Sequence, residues 1–356
     1  MSYGIMEERI GALTQKEINC IDAGTENCPC YLAVTGDCLV CSRLQGKDYC
    51  NCNWKGVCIY NEFIQGNRKV NNPRREFEAP IVEKIFYRED LVVYILDVGK
   101  GFAMKAGRPG SYLFVKGSGA SSFYDIPISV MKADIEKGQI HLAIKIISSK
   151  TKALLTENER LALRGPYRNG MHGISTILNK KGKNLKTLIV AKGIGVAPGI
   201  LASRAFRNKG TLDMVVDTEK ISKALIEDYV DSEREADDLR MTEPDTLRMT
   251  DTGGMLLYLS LTDQSTVKKL ESMMENTRYD NVVLLVSDYY IADLGRMVKK
   301  ILPAADLAVS NNFRICCGEG LCGSCSIDTS AGDTIKMCKC QMDGDDFLDL
   351  YSSSSV

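Results

Sequence analysis

The chain has 356 residues, 44% hydrophobic and 26% charged, which suffices for two or three domains of about 150 residues with ordinary apolar cores. Its 45 Lys and Arg nearly cancel its 46 Asp and Glu, leaving a formal charge of −1 and excluding a generally basic surface for nucleic acid or an anionic membrane. No apolar run reaches the ~20 residues of a membrane span, and the start, MSYGIMEERIGALTQ, lacks a basic-then-apolar leader, so a cytoplasmic protein is expected.

The 14 cysteines are polarised: eight lie between Cys20 and Cys58, six between Cys316 and Cys340, and residues 59–315 hold none. In a reducing compartment they are not disulfide staples, so the pattern predicts two metal-bearing ends around a metal-free middle. In residues 1–75 the candidate ligands are Cys20, Cys28, Cys30, Cys38, Cys41, Cys50, Cys52 and Cys58, enough for two four-cysteine sites, either [4Fe–4S] clusters or zinc. The ferredoxin run C-x2-C-x2-C is absent, and the one C-x2-C, Cys38 and Cys41, occurs in both classes. Cys28-Pro29-Cys30 and Cys50-Asn51-Cys52 strain a single tetrahedral zinc. Regular periodicity is scarce, so order here is expected to come from metal, with the sole tryptophan, Trp54, packed against it. NNPRREFEAP then reads as a linker.

From residue 76 to 175 short apolar runs (IVEKIFY, LVVYILDV, SYLFVKG, HLAIKII) alternate with glycine turns, the pattern of a small antiparallel barrel or sandwich. In YDIPISV, Pro127 excludes helix and the Ser129 hydroxyl can meet a ligand. His141 and His172, the two histidines, suggest no catalytic dyad.

From 176 to 310 the rhythm changes to strand, turn and helix. KTLIVAKGIGVAPGILASRAF, LDMVVD, STVKKLESMMEN and NVVLLVSDYYIADLGRMVKKIL predict a parallel α/β sheet. Gly193-Ile194-Gly195-Val196-Ala197-Pro198 opens a helix, where backbone and helix dipole can approach a phosphate. Leu239–Glu243 and Leu247–Asp251 echo each other around a Glu-Pro-Asp-Thr turn, which predicts a hairpin.

In residues 311–350, Cys317, Cys322 and Cys325 have the C-x4-C-x2-C spacing of plant-type [2Fe–2S] proteins. Thiolates neutralise ferric iron, and Gly318, Gly320 and Gly323 let backbone N–H groups turn toward sulfur. A structural zinc loop is the alternative. Cys338 and Cys340 both qualify as fourth ligand, and Cys316 reads as a buried spectator. Asp343, Asp345, Asp346 and Asp349 read as a solvated face, and the tail YSSSSV as disordered.

This arrangement resembles, over roughly residues 80–345, the electron-transfer subunit of dihydroorotate dehydrogenase in the ferredoxin–NADP reductase superfamily. That family's last cysteine comes shortly before Asp-Gly, here Asp343-Gly344, so the resemblance implies Cys340, after a gap of 14 residues from Cys325. It implies FAD on the barrel. Tyr112 lies in the strand leading to the flavin ring; Ile126, Pro127, Ile128 and Ser129 stand for its Arg-Pro-x-Ser; and Gly165, Pro166, Asn169 and Gly170 are similar to its Gly-Pro-x-Gly-Asn-Gly. Ile126 replaces the arginine that neutralises the flavin diphosphate, and Ser148-Ser149-Lys150-Thr151 replaces Gly-x-Gly-Thr, so Lys150 or Arg108 would compensate and Thr151 would complete the turn.

Gly193, Gly195, Ala197 and Pro198 match the family's Gly-x-Gly-x-Ala-Pro, and Thr250–Gly254 resembles its Thr-Asp-Asp-Gly-Ser. Ser287-Asp288-Tyr289 stands where Cys-Gly-Pro would flank nicotinamide, which leaves NAD(P) binding open.

The expected fold is multidomain: a Cys-rich metal-bound N-terminus (1–75), an FAD-binding antiparallel β-barrel (76–175), an NAD(P)-binding-like α/β domain with a parallel sheet (176–310) and a small C-terminal [2Fe–2S] domain (311–350). The function implied is an iron–sulfur flavoprotein. It would relay electrons from a nicotinamide nucleotide or partner donor through FAD and a [2Fe–2S] cluster to a partner oxidoreductase subunit or ferredoxin. That context favours iron–sulfur over zinc at the N-terminus. The alternatives are an NAD(P)H-dependent ferredoxin reductase and, in another class, a non-catalytic zinc-containing docking or sensor protein.

Overall fold

The computed structural model describes residues 18–52, 54–230, 248–249, 254–328 and 334–352. The first segment holds β1 (Asn19–Cys20), two short helices, α1 (Tyr31–Thr35) and α2 (Ile59–Gln65), and a 3-10 turn. Apolar residues are too few for a long amphipathic element. The small core instead mixes thiols with aliphatics: Cys28, Ala33, Cys38, Cys41, Leu44, Ile59 and Phe63, with Trp54 packed on it.

The next stretch builds a seven-stranded sheet from β2 (Glu76–Arg88), β3 (Leu91–Asp97), β4 (Tyr112–Gly117), β5 (Ile126–Ser129), β6 (Lys132–Asp134), β7 (Gln139–Lys145) and β8 (Arg160–Tyr167), in the order β5-β4-β8-β2-β3-β7-β6. Its ladders β2–β3, β3–β7, β4–β5, β4–β8 and β6–β7 are antiparallel, and β5 also lies against β7. Two helices interrupt the strands, α3 (Lys100–Ala106) and α4 (Ser149–Leu154). The second starts on a capping box in which Ser148 accepts from the Thr151 N–H and Thr151 accepts from the Ser148 N–H.

The α/β layer follows: β9 (Met171–His172), α5 (Ile174–Asn179), β10 (Leu185–Lys192), α6 (Val196–Phe206), β11 (Gly210–Asp217), α7 (Lys223–Val230), β12 (Arg248–Met249), β13 (Met255–Tyr258), α8 (Gln264–Thr277), β14 (Asn281–Leu285), α9 (Asp288–Ile301) and β15 (Asp306–Ser310). The sheet order is β12-β13-β11-β10-β14-β15-β9; the five inner strands are parallel and both edges antiparallel. β10 and β14 carry almost unbroken apolar runs because helices cover both sheet faces. α9 buries Ile291, Leu294, Gly295 and Val298, one stripe at helical spacing. Counting the parallel strands in chain order gives 3-2-1-4-5, which places the switch point between β10 and β14.

The last segment contains the hairpin β16 (Ser326–Asp328) and β17 (Thr334–Lys336), then β18 (Cys340–Gln341) and α10 (Gly344–Ser352). β18 pairs antiparallel with β1, aligning Cys20 with Cys340. The chain therefore forms two compact units, residues 77–310 and residues 1–76 with 311–356, and the second joins the first and last of the four segments expected from sequence. Inside 77–310 the antiparallel and parallel layers are tied together: His141 Nδ1 lies 2.7 Å from the Tyr229 hydroxyl, and Tyr87 donates to Asp228 at 2.6 Å. The expected hairpin and the Thr250–Gly254 turn lie outside the described residues except for 248–249 and 254, as does the tail beyond 352. Among the described residues no helix is long and apolar enough to cross a membrane.

Candidate functional site

Gly318, Gly320 and Gly323 adopt φ of +70°, +78° and +70°, a left-handed path that glycine takes without steric cost. On this path the Glu319 N–H donates to Cys317 Sγ at 3.3 Å, and from the turn after β17 the Cys338 N–H donates to Cys325 Sγ at 3.3 Å. The Cys338 thiol donates to both Cys317 and Cys325. That bond brings Cys317 down to about 3 and Cys325 down to about 7, while Cys338 itself is held far above the usual thiol range. Cys322 completes the group through a hydrogen bond with Cys317.

The sulfur hydrogen-bonded to the C-x4-C-x2-C loop is thus that of Cys338, whereas the family resemblance implied Cys340 as the fourth ligand. Cys338 sits in the turn after β17, whereas Cys340 lies in β18, 0% exposed, where burial pushes its thiol up. Cys316, expected to be buried, is exposed.

Beside this loop lies a buried charge cluster that the sequence did not announce. Lys339, 0% exposed, donates to Asp22 at 2.7 Å and to Glu319 at 2.8 Å. Arg74 grips Asp22 with both guanidinium nitrogens at 2.6 and 3.2 Å and lies 3.7 Å from Glu319. Burial opposes charge on Lys339 and Asp22. The opposite charges around them outweigh it, so the ammonium is held above its ordinary value and the carboxyl below.

The N-terminal thiols gather in the same unit. Cys20 neighbours Cys30, and Cys28 neighbours Cys30 and Cys38. Burial pushes Cys28 up to about 12 and Cys38 up to about 11. Cys50 Sγ and Cys52 Sγ lie 3.9 Å apart at the rim of a cavity of about 330 Å³, which Cys41, Cys58, Trp54 and Tyr60 also line. The expected packing of Trp54 against the thiols is what the structure has. The indole N–H donates to the Val57 carbonyl at 2.8 Å, and a Cβ at Gly24 would meet the ring at 2.6 Å. Among the described residues no three histidine, cysteine or acidic side chains close on one point as a single metal ion requires.

In the other unit, strand pairing sets Ser129, Tyr112 and Tyr167 in one row across β5, β4 and β8. Tyr112 stacks on Tyr167 at 5.2 Å, and Phe114 meets Tyr167 edge-on. β5 is an edge strand whose Ile126, Ile128 and Ser129 are half-buried and whose Pro127 is exposed. Gly165, at φ +150°, leaves no room for a Cβ beside Leu113. Gly170 donates to the Gly110 carbonyl at 2.9 Å, and Asn169 beside it is fully buried, so Gly165, Pro166, Asn169 and Gly170 gather at the end of β8 near Tyr112.

Lys150 donates to the Phe123 carbonyl and covers the Phe123 ring. The Thr151 hydroxyl serves the α4 cap and also accepts from the Ile147 N–H at 3.0 Å. The arginine nearest the place of the missing one is Arg164, bonded to Asp125 at 3.0 Å and to Tyr167, and lying over Phe114. It was legible as the residue before Gly165-Pro166. An apolar edge, a hydroxyl and nearby exposed aromatics fit a flavin ring, and Lys150 is a cation beside those aromatics.

At the switch point, Gly193–Gly195 form a 3-10 turn between β10 and α6, followed by Ala197 and Pro198 in the first turn of α6. Gly193 has φ +57° and open space where a Cβ would stand, while a Cβ at Gly195 would collide with the Leu285 carbonyl at the end of β14. The neighbouring Lys192 is engaged by Asp217 and by Glu219 at 2.7 Å. Burial opposes its charge, and these two hydrogen bonds outweigh that and hold the ammonium above its ordinary value. Asp288 lies in the first turn of α9.

No protein-family model matches the chain. Solved structures do. The chain is similar to the NADH-dependent reduced ferredoxin–NADP oxidoreductase, whose structure was described for flavin-based electron bifurcation, with a TM-score of 0.51 at 17% identity, covering 77% of this chain and 93% of that one. It is also similar to a ferredoxin reductase in carbazole 1,9a-dioxygenase (TM-score 0.48, 14% identity, 68% and 70% covered). A ferredoxin NADP+ reductase from Neisseria gonorrhoeae with bound FAD and NADP gives a TM-score of 0.47 at 9% identity, with 67% and 99% covered. The likeness is one of fold, and in this chain that fold is an antiparallel sheet ahead of a 3-2-1-4-5 parallel sheet.

Proposed function

We propose that this chain is an oxidoreductase, a flavin- and iron–sulfur-dependent electron carrier that takes electrons from a nicotinamide nucleotide or a reduced partner protein and delivers them to a partner oxidoreductase or ferredoxin. The observation that carries the reading is the convergence of Cys317, Cys322, Cys325 and Cys338, with backbone amides aimed at their sulfurs. Four soft anionic donors with N–H groups turned toward them are the donor set of a [2Fe–2S] cluster. The likeness to an oxidoreductase described as NADH-dependent and flavin-based supports the same reading.

FAD, when bound, supplies the exchange between two-electron and one-electron chemistry. The chain's own residues bind and orient it: Ile126, Pro127 and Ile128 offer the ring an apolar edge, Ser129 a hydroxyl, Tyr112 and the Gly165–Gly170 turn the supporting wall, and Lys150 a cation. At the switch point the backbone of Gly193, Gly195 and Ala197 presents the α6 N-terminus to a nucleotide diphosphate, and Pro198 lacks only an N–H that the first turn leaves unused anyway.

A second reading, in which a partner protein rather than NAD(P)H supplies the electrons, is favoured by one observation: the cation nearest that turn, Lys192, is already bound to Asp217 and Glu219. An anaerobic titration separates them. Loss of the flavin absorbance on adding NADH or NADPH, followed by the spectrum of a reduced [2Fe–2S] cluster, is the result expected of the first; bleaching only by a reduced one-electron carrier protein is the result expected of the second. A folded chain that binds no flavin overturns both and leaves the zinc docking or sensor protein.

A further inference from the structure

We infer that the eight N-terminal cysteines form two separate [4Fe–4S] sites divided by their order in the chain, an inner site of Cys20, Cys28, Cys30 and Cys38 and an outer site of Cys41, Cys50, Cys52 and Cys58.

The division stands on geometry. The outer four all line the cavity of about 330 Å³, and none of the inner four does. Within the inner four, Cys20, Cys28 and Cys38 each neighbour Cys30, and Cys38 also neighbours Cys41 across the division. Each closely spaced pair stays on one side, Cys28 with Cys30 and Cys50 with Cys52, the latter sulfurs 3.9 Å apart. The C-x2-C pair straddles the boundary: Cys38 belongs to the inner group and Cys41 to the outer.

Size and charge at both sets are compatible with a cubane. The outer thiols and Trp54 surround an open space of about 330 Å³. A cubane fills such a space and carries net negative charge, and a cation lies beside each set. Arg43 lines the outer cavity, stacked on Tyr60 at 5.3 Å, and Lys339 stands beside Cys30. The inner set also borders the C-terminal loop, because Glu319 neighbours Cys30 and a Cβ at Gly320 would meet Leu32 at 2.5 Å. Outer, inner and C-terminal groups therefore follow one another through a single body, with Cys50, Cys52 and Cys58 at its surface. The choice of iron over zinc rests on the proposed electron-transfer function; the division into two sets does not.

The test is metal and sulfide analysis of the full chain, purified anaerobically and reconstituted with ferrous iron and sulfide, as wild type, as the outer variant Cys50→Ser/Cys58→Ser and as the inner variant Cys28→Ser/Cys30→Ser. The wild type is expected to hold about ten irons and each variant about six. An outer variant that falls to about two irons means one shared site, and one that keeps about ten means no outer site; either overturns the inference, as do two zinc ions in the wild type. Because Cys28 and Cys30 are core residues, the outer variant decides, its ligands being exposed. A wild type lacking flavin and the C-terminal two irons but holding eight would instead overturn the proposed function and leave this inference standing.

Discussion

Lys339 and Asp22 are 317 residues apart in the chain, yet the ammonium and carboxylate lie 2.7 Å from each other, 0% and 2% exposed. Removing one partner of a buried pair leaves the other charge uncompensated, at a cost of about 3–5 kcal/mol. Lys339→Met is therefore expected to lower the unfolding free energy of the cysteine-bearing unit by an amount near the lower figure, since Arg74 still holds Asp22. Adding Glu319→Gln should restore part of it. Chemical unfolding of the four proteins of that double-mutant cycle checks this, and strict additivity would show that Lys339 and Glu319 are not coupled.

The fourth sulfur gives a sharper contrast. Cys338→Ser should remove the C-terminal cluster's iron and its reduced-state electron paramagnetic resonance signal, whereas Cys340→Ala should keep both. The opposite pattern would return the ligand to the position expected from the family resemblance.

Gly195→Ala inserts a methyl against the Leu285 carbonyl, where overpacking costs about 1–3 kcal/mol. Gly193→Ala meets open space but must adopt φ +57°, a strain of order 1 kcal/mol. Thermal melting should rank Gly195→Ala as the more damaging, and nucleotide-driven flavin reduction should fall in both. Equal stabilities would mean that α6 does not pack on β14 as closely as described.

The two histidines make unit 77–310 sensitive to acid. Burial lowers His172 to about 3, and burial, helped by Lys132, lowers His141 to about 4, against about 6.5 when unfolded. Their folded-state values are depressed, so the unfolded chain binds more protons below about 6.5. The stability that the neutral rings carry is complete above that pH and declines as pH falls toward 4. Urea midpoints at pH 7 and pH 5 should differ, and His172→Gln should flatten the difference; an unchanged slope would sink this assignment.

Under the proposed function, Lys150→Ala removes the cation that would meet the flavin diphosphate. A hydrogen bond to a charged group contributes about 1.5–3 kcal/mol, so FAD should bind roughly 10- to 100-fold more weakly. Released-flavin fluorescence reads this directly, and undiminished FAD retention would place the diphosphate elsewhere.

Much of this was legible in the sequence. The parallel sheet was announced by the unbroken apolar runs of β10 and β14, and the cysteine loop by spacing that only three glycines at positive φ can follow. The fourth sulfur was not, because Cys338 and Cys340 differ only in turn against strand, and that is decided by the pairing of β18 with β1 at the other end of the chain. Nor was the buried cluster, whose four charges at 22, 74, 319 and 339 have no common local pattern. Arg164 was passed over because the family motif draws attention to the glycine and proline after it. Helix α4 was hidden for a local reason: Ser148 and Thr151 supply by side chains the cap that a glycine turn supplies by backbone.

The pairing of β1 with β18 also sets an order of events in the cell. Residues 1–76 leave the ribosome first, but their strand partner at Cys340–Gln341 and the ammonium of Lys339 arrive after some further 260 residues, a delay on the order of tens of seconds at ordinary translation rates. Through that interval eight thiols wait without the strand partner and the buried ammonium that complete their unit.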